Sequence, residues 1–466
     1  MKYRNDMSPE PRSHIKTLMK IGYDLNSAIA DIIDNSVSAK ASKISIICPS
    51  ETDNPFISIV DDGIGMDPEE LIQNMRIGCK DPNEKRESGD LGRFGSGMKT
   101  ASFSHARRLT VISKKKNKKI AAACWDIDEI EEKNSWCLQE LDEKDINYLD
   151  HLDKSLLNEE GTQLIWEKID KFAETDHNDS KKSIETSMVD LKKYLALHFH
   201  KFLQGPNKIA IYVQNLKVEP VDPFLTSKKG YQEGPSDETF VKGGKLVIKS
   251  HTLPHHSNLT QAEIDEIGGM EEIYKGQGLY IYRENRLIIS GGWMGLSRTY
   301  QLGKLARIEI NIPSTLDYEW STDVKKSSLQ LPPKIKSRLK KLIQQPIKKS
   351  KRTYNFRGKK EEANDYWKII ETRDKNIIYQ IDTENNELIK IAKQTPKDNV
   401  SELKEYLRNL AKNLPINHIH SKVSSDPKSI KQDEAIFEFS ITEAFCSLDN
   451  SLISFANSLS YFFNVL

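Results

Sequence analysis

Leu25, Ala28, Ile29, Ile32 and Ile33 recur at helical spacing and predict a helix over residues 25–38 with one apolar face, which the small Ser36 extends. Asp31 and Asn35 are four residues apart on its other face, one turn from each other. Short apolar stretches at 43–48 and 56–60 predict two strands joined by a polar loop with a Pro, and Asp61 stands at the end of the second. From 79 to 88 the chain is polar and charged and predicts a loop. Gly92–Gly97 follows, and then a helix from about Met98. Residues 109–113 and 120–125 predict a hairpin around Lys114-Lys115-Lys116-Asn117-Lys118-Lys119, and 162–166 a further strand. A helix at 183–202 leads to strands at 209–213, 245–250, 278–282, 286–289 and 306–312, with Glu284-Asn285 as a hairpin tip. Pro332-Pro333 interrupts the chain before a basic helix. The last hundred residues read as mainly helical, with a short hairpin near 377–381.

Composition narrows the class. At 466 residues the chain is too long for one ordinary domain. Its 69 basic and 68 acidic residues nearly cancel, so net charge points to no partner. The distribution does. Between Lys325 and Lys360 stand fourteen Lys and Arg and no Asp or Glu, with Tyr354 and Phe356 among them. Such a stretch suits a phosphate backbone, and equally a solvated helix face with a charged linker. The five cysteines lack zinc spacings and fit a reducing compartment. With no apolar signal core and no run of about 18 apolar residues, the expectation is a soluble, cytoplasmic protein that does not enter membranes. His198 and His200 fall on different helix faces, and His255-His256 lie in a polar loop, so neither pair suggests a metal site.

Three segments carry the chemistry. In Asp31-Ile32-Ile33-Asp34-Asn35, the amide of Asn35 could ligate a magnesium ion, and Asp31 could take a proton from an attacking water. In Asp61-Asp62-Gly63-Ile64-Gly65, a buried Asp61 could accept from the exocyclic amine of adenine, while Gly63 and Gly65 leave room for the base. In Gly92-Arg93-Phe94-Gly95-Ser96-Gly97, glycines before a helix free backbone N–H groups for phosphate oxygens, with Arg93 and Lys99 as nearby cations. Each alone is equally a solvated helix face, a tight turn or a flexible helix entry. The third segment lacks the Gly-Lys-Ser/Thr of a P-loop, and it follows a polar loop where a Rossmann fingerprint would follow a strand.

Together, in this order, the segments resemble the N, G1 and G2 boxes of the GHKL ATPases, which include gyrase B, the large heat-shock chaperones, histidine kinases, MutL and the MORC proteins. Gly161-Thr162 resembles the start of the strand whose threonine supports the adenine-binding Asp. The likeness is strongest to MORC-like bacterial ATP-binding proteins, often found near restriction or phage-defence genes, among which Asp in the place of the usual Glu is familiar. The resemblance implies an α+β architecture: a Bergerat-fold ATPase domain with helices on one face of a mixed sheet (1–175), a connecting helix (176–205), an S5-like transducer domain (206–345), and a basic linker with a mainly helical interaction region (346–466). It implies bent Mg-ATP with Asn35 on the metal and Asp61 on adenine. Gly63, Gly65, Met66 and Thr162 would lie around the base, and Gly92, Arg93, Phe94, Gly95, Ser96, Gly97, Met98 and Lys99 would hold the phosphates under a lid over about 78–97. Leu279–Ile289 resembles the transducer hairpin, and Trp320–Ser327 the loop that sends a lysine to the γ-phosphate: Lys326 by pattern, or its neighbour Lys325.

The expected function is a slow ATPase switch that dimerises on ATP and engages DNA or an effector protein, in anti-phage defence or DNA restriction. The alternative is a regulatory module that binds ATP without cleaving it and acts through a partner.

Overall fold

The computed structural model describes residues 9–20, 22–78, 97–169, 177–241, 244–296, 304–316, 331–354, 367–371, 377–381, 385–387 and 390. The chain divides into two compact units, Met1–Lys351 and Arg352–Leu466.

The first unit opens with helices α1 (Pro11–Met19) and α2 (Leu25–Ser38), then strands β1 (Lys43–Ile47) and β2 (Ile57–Asp61). Helices α3 (Pro68–Met75) and α4 (Gly97–Phe103) come before the hairpin of β3 (Arg108–Lys114) and β4 (Ala121–Asp126). Next are α5 (Ile127–Lys133), β5 (Gln139–Leu141), α6 (Glu143–Asn147), β6 (Gly161–Glu167), the long helix α7 (His177–His198), β7 (Ala210–Val213) and β8 (Leu216–Lys217). The strands form an eight-stranded sheet in the order β5-β4-β3-β6-β2-β1-β7-β8. Its pairs are antiparallel except β1 with β7, so the sheet is mixed.

Alternation along the strands decides what covers each face. Leu109, Val111, Leu164 and Trp166 point to a core shared with Ile15, Ala28, Ile29, Ile32, Ile33, Leu191 and Leu195 from α1, α2 and α7. Ile112, Ala122 and Ile165 point the other way, onto Ile146 and Leu156. The main helices therefore lie on one face, the α+β Bergerat arrangement expected. Helix α2 starts where its side chains dictate: Asp24 caps it by accepting from the Ser27 N–H.

A second, five-stranded sheet contains β9 (Gln232–Val241), β10 (Gly244–Thr252), β11 (Gly278–Arg283), β12 (Arg286–Ser290) and β13 (Ala306–Ile312), in the order β12-β11-β13-β10-β9. The short helices α8 (Gln261–Glu266) and α9 (Met270–Lys275) fall between β10 and β11. Glu284 and Asn285, both at positive φ, turn β11 into β12. One face of this sheet packs on α10 (Pro333–Leu342) and α11 (Gln344–Tyr354) through Ile335, Leu339, Ile343 and Ile347. The other face presents Tyr280, Tyr282 and Leu287 to Phe224 and Leu197. Lys201 crosses that face: its ammonium donates to Glu309 at 2.6 Å and lies 3.7 Å over the Tyr282 ring. In the second unit, β14 (Trp367–Glu371) and β15 (Ile377–Ile381) form an antiparallel hairpin.

Among the described residues no helix is long and apolar enough to cross a membrane.

Candidate nucleotide site

Helix α2 assembles most of what is visible here. Asp31 is buried and Asn35 is exposed, so the two polar positions a turn apart have different surroundings. The Asp31 carboxylate accepts a hydrogen bond from the Tyr23 hydroxyl at 3.1 Å. A Cβ placed on Gly97, the first residue of α4, would come 3.8 Å from Asp31 Oδ2. The carboxylate therefore faces the entry of the helix that the glycine-rich segment leads into. Of that segment, Gly97 is described and Met98 is partly buried against the main core. Gly92, Arg93, Phe94, Gly95 and Ser96 lie outside the described residues, as do Lys325 and Lys326.

The same helix reaches the other end of the site. Ser36 donates to Asp61 Oδ2 at 2.7 Å, and the Gly63 N–H donates to Oδ1 at 2.9 Å. Burial pushes the Asp61 carboxyl up, while Ser36, Gly63 and the Thr162 backbone oppose that shift by hydrogen bonding to the charged form. Each carboxylate oxygen has a second lone pair, so Asp61 retains capacity for an amine donor. Ser36 was legible in sequence only as a small residue; its hydroxyl proves to be the direct side-chain partner of the Asp.

Thr162 sits opposite Asp61 in the β2–β6 register. Its hydroxyl is 2.8 Å from that of Ser113, which in turn lies 3.1 Å from the Gly161 carbonyl. Ser113 has one proton. Donating it to Gly161 leaves Thr162 as the donor to Ser113. Ser113 also accepts from the Met66 N–H at 2.8 Å, which fixes the turn after Gly65. Pattern reading offered no sign of Ser113, because nothing local marks a strand serine as a turn anchor.

The two glycines of the turn answer first to the protein's own backbone. Gly65 has φ +62°, and a Cβ there would fall 1.9 Å from the Lys114 carbonyl oxygen. A Cβ on Gly63 would come 2.9 Å from Ala39 and from Asp61 Oδ1. Lys99, expected near phosphate, is only 2% exposed and donates to the Asn74 carbonyl at 2.6 Å. Trp125 donates to the Met75 carbonyl at 3.0 Å. Both bonds grip the C-terminal end of α3, the last helix before the segment expected to be the lid.

Residues 23–162 match the family described as histidine kinase-, DNA gyrase B- and HSP90-like ATPases. The chain carries a GHKL-type ATPase domain. Three MORC proteins are similar to parts of the chain. The mouse ATPase MORC2B is 32% identical over 96 residues, 20% of this chain and 9% of that protein. The Caenorhabditis elegans ATPase morc-1 is 33% identical over 89 residues, 19% and 10%. Arabidopsis thaliana Protein MICRORCHIDIA 6 is 30% identical over 92 residues, 19% and 13%. The chain thus spans about a tenth of the length of the curated relatives it matches.

Within the GHKL domain, the donor set fits a magnesium ion that arrives with its nucleotide. Exposed Asn35 offers one amide oxygen, and among the described residues no group of three or more His, Cys, Asp or Glu is placed to hold a metal alone. The His198 ring stacks on Tyr194 with centroids 3.8 Å apart, and burial, helped by nearby Arg286, pushes it down to about 3.

Proposed function

We propose that this protein is an ATP-gated switch that binds Mg-ATP in the GHKL domain and hydrolyses it slowly. One observation carries the reading. Helix α2 holds the Asp31 carboxylate beside the start of α4, exposes Asn35 one turn later, and bonds the buried Asp61 through Ser36. A single rigid element thus sets the spacing between the water-activating end and the adenine end.

In this mechanism Asp61 accepts from the adenine amine, and the turn through Gly63, Gly65 and Met66, braced by Thr162 and Ser113, shapes the base pocket. Gly92–Met98 hold the phosphates through backbone N–H groups. Asp31 takes a proton from the attacking water as its oxygen bonds to the γ-phosphorus. The bond to the bridging oxygen breaks, and ADP leaves with the released electron pair. Asn35 would hold a magnesium ion, which would supply charge neutralisation at the phosphates. Lys326, or Lys325, reaches the γ-phosphate as a point charge from the second sheet's domain, which acts as the transducer. ATP-ordered dimerisation then couples to DNA or to an effector protein bound by the C-terminal region, in a restriction or anti-phage role. Lys336, Lys340, Lys341 and Lys348, exposed on α10 and α11, support engagement of nucleic acid.

Single-turnover hydrolysis by Asp31→Asn tests the core of this reading. The expected loss is ~10²–10⁴-fold with ATP binding retained. Equal rates remove Asp31 from the mechanism. The second reading, a module that holds ATP uncleaved, is favoured by the burial of Asp31, whose side chain is one methylene shorter than that of Glu. Wild-type protein that binds ATP and releases no phosphate establishes it.

A further inference from the structure

Arg286 begins β12 in the second sheet, yet its charge ends on the helix of the nucleotide site. Its Nε donates to Asp34 Oδ1 at 3.2 Å across 252 residues of sequence. Nη1 donates to the Leu287 carbonyl at 2.7 Å and to the His198 carbonyl at 3.3 Å. The guanidinium lies 4.1 Å over the Phe199 ring. Arg286 is 7% exposed and Asp34 is not exposed at all. An ion pair so deeply buried is weak evidence for stability, because desolvation of both charges offsets their attraction. Such a pair is better suited to fixing geometry: the planar fork fixes direction as well as distance.

What it fixes is specific. Asp34 immediately precedes Asn35 and is three residues after Asp31, so all three move with one turn of α2. On the Arg286 side, the β11–β12 hairpin is tied to β13 by parallel pairing and by Glu284, which accepts from the Ser314 N–H at 2.9 Å. Burial alone would lower the Arg286 guanidinium; Asp34 first, then Tyr194 and last Asp31 outweigh it.

We propose that Arg286 is a positioning residue for ATP hydrolysis: through Asp34 it sets the register of α2, and with it Asp31, from the second sheet. This rests on the ATPase reading above. The coupling runs from the second sheet to the water-activating end of the site, independently of any lysine that reaches the phosphate.

The test uses the full chain in four forms beside wild type: Asp31→Asn, Arg286→Lys, Arg286→Met, and the double variant Asp34→Leu/Arg286→Met. Melting temperature, ATP affinity and single-turnover hydrolysis are measured for each. Arg286→Met alone removes the cation beside the buried Asp34 carboxylate and should melt lower. The double variant removes both charges and should melt near wild type. The expected result is that it binds ATP within about threefold of wild type and hydrolyses it at least about tenfold more slowly, with Arg286→Lys in between. A merely structural pair predicts the same melting pattern but wild-type hydrolysis in the double variant. That outcome overturns the proposal, as does parallel loss of binding and hydrolysis. Should the double variant not fold, Arg286→Lys hydrolysing at the wild-type rate overturns it, and a selective loss there supports it. Failure of wild type to hydrolyse ATP overturns the ATPase reading and this inference together. Hydrolysis lost in Asp31→Asn but intact in the double variant overturns this inference alone.

Discussion

Tyr23 and Asp31, eight residues apart and on either side of the α2 N-cap, are joined by a buried hydrogen bond of 3.1 Å in which the phenol donates to Oδ2. An Asp that substitutes for Glu in this position has one methylene less reach and one rotatable bond fewer. Tyr23 removes further freedom by holding one oxygen. Tyr23→Phe keeps the ring in its core and deletes only the hydroxyl. A hydrogen bond to a charged group contributes about 1.5–3 kcal/mol. If half of that acts on the aim of the carboxylate, single-turnover hydrolysis by Tyr23→Phe should fall roughly three- to tenfold. ATP affinity should stay close to wild type, because Tyr23 is not among the groups placed around base or phosphates. An unchanged rate would separate Tyr23 from the reaction.

The Asp61 carboxyl gives a pH signature. Burial raises it above the ordinary carboxylate range, against the pull of Ser36 and Gly63. Only the ionised form accepts from adenine with both oxygens, so ATP affinity should fall as pH is lowered through that raised value, before ordinary carboxylates titrate. The sign for stability is opposite. An acid raised in the folded state contributes stability that is present below its unfolded value and lost as pH rises through its folded one. Asp61→Asn should bind ATP at least about tenfold more weakly and lose the acid limb of the affinity profile. Ser36→Ala removes a donor that favours the charged form, so its acid limb should move to higher pH. Fluorescence titration with ATP between mildly acid and neutral pH would check both.

Two glycines should separate folding from function. At Gly65 an added Cβ meets the Lys114 carbonyl at 1.9 Å on a backbone already at positive φ. Gly65→Ala should therefore lose about 3 kcal/mol or more by overpacking and strain. Among the described residues, the atom nearest to a Cβ added at Gly97 is Asp31 Oδ2, at 3.8 Å. Gly97→Ala should melt within about 1 kcal/mol of wild type, since alanine suits a helix better than glycine. Its methyl group nonetheless enters the space between the carboxylate and α4, and hydrolysis should drop. Thermal unfolding alongside an ATPase assay distinguishes the two.

The sequence pattern reaches α2 with its bounds intact, because Leu25, Ala28, Ile29, Ile32 and Ile33 bury one continuous stripe. It reaches β13 for the same kind of reason, with four apolar side chains packing into one core. It misses β9, whose polar residues and Pro235 carry no alternation. Among the described residues that strand pairs with β10 alone, at the sheet edge, where one neighbour leaves its pattern less constrained. In the site, Asp31, Asn35, Asp61 and the glycines are legible because their chemistry is local to short motifs. Tyr23, Ser113 and Arg286 are not. Each acts on a residue that only the folded topology brings near, and Arg286 reads in sequence as one more cation of a hairpin. Lys99 shows the converse: its neighbours in sequence suggest phosphate, while burial turns its ammonium to the end of α3.

The basic helices offer the last prediction, and the structure divides their charges. Arg338 is paired with Asp237 of β9, Nη2 to Oδ1 at 2.6 Å, so part of its charge is already answered. Lys336, Lys340, Lys341 and Lys348 are exposed, while Ile335, Leu339, Ile343 and Ile347 hold the same helices to the sheet. Replacing Lys336, Lys340 and Lys341 with Glu should leave the fold intact, because none of the three is part of that packing. If these side chains track a phosphate backbone, duplex DNA affinity should fall roughly tenfold or more at low salt. The slope of log affinity against log salt should shrink by about one for each contact removed. Arg338→Gln should change the slope much less, since that guanidinium faces Asp237. Equal effects from Arg338 and the lysines would mean that the whole helix surface attracts DNA diffusely; no effect from either would place any nucleic-acid contact elsewhere in the chain.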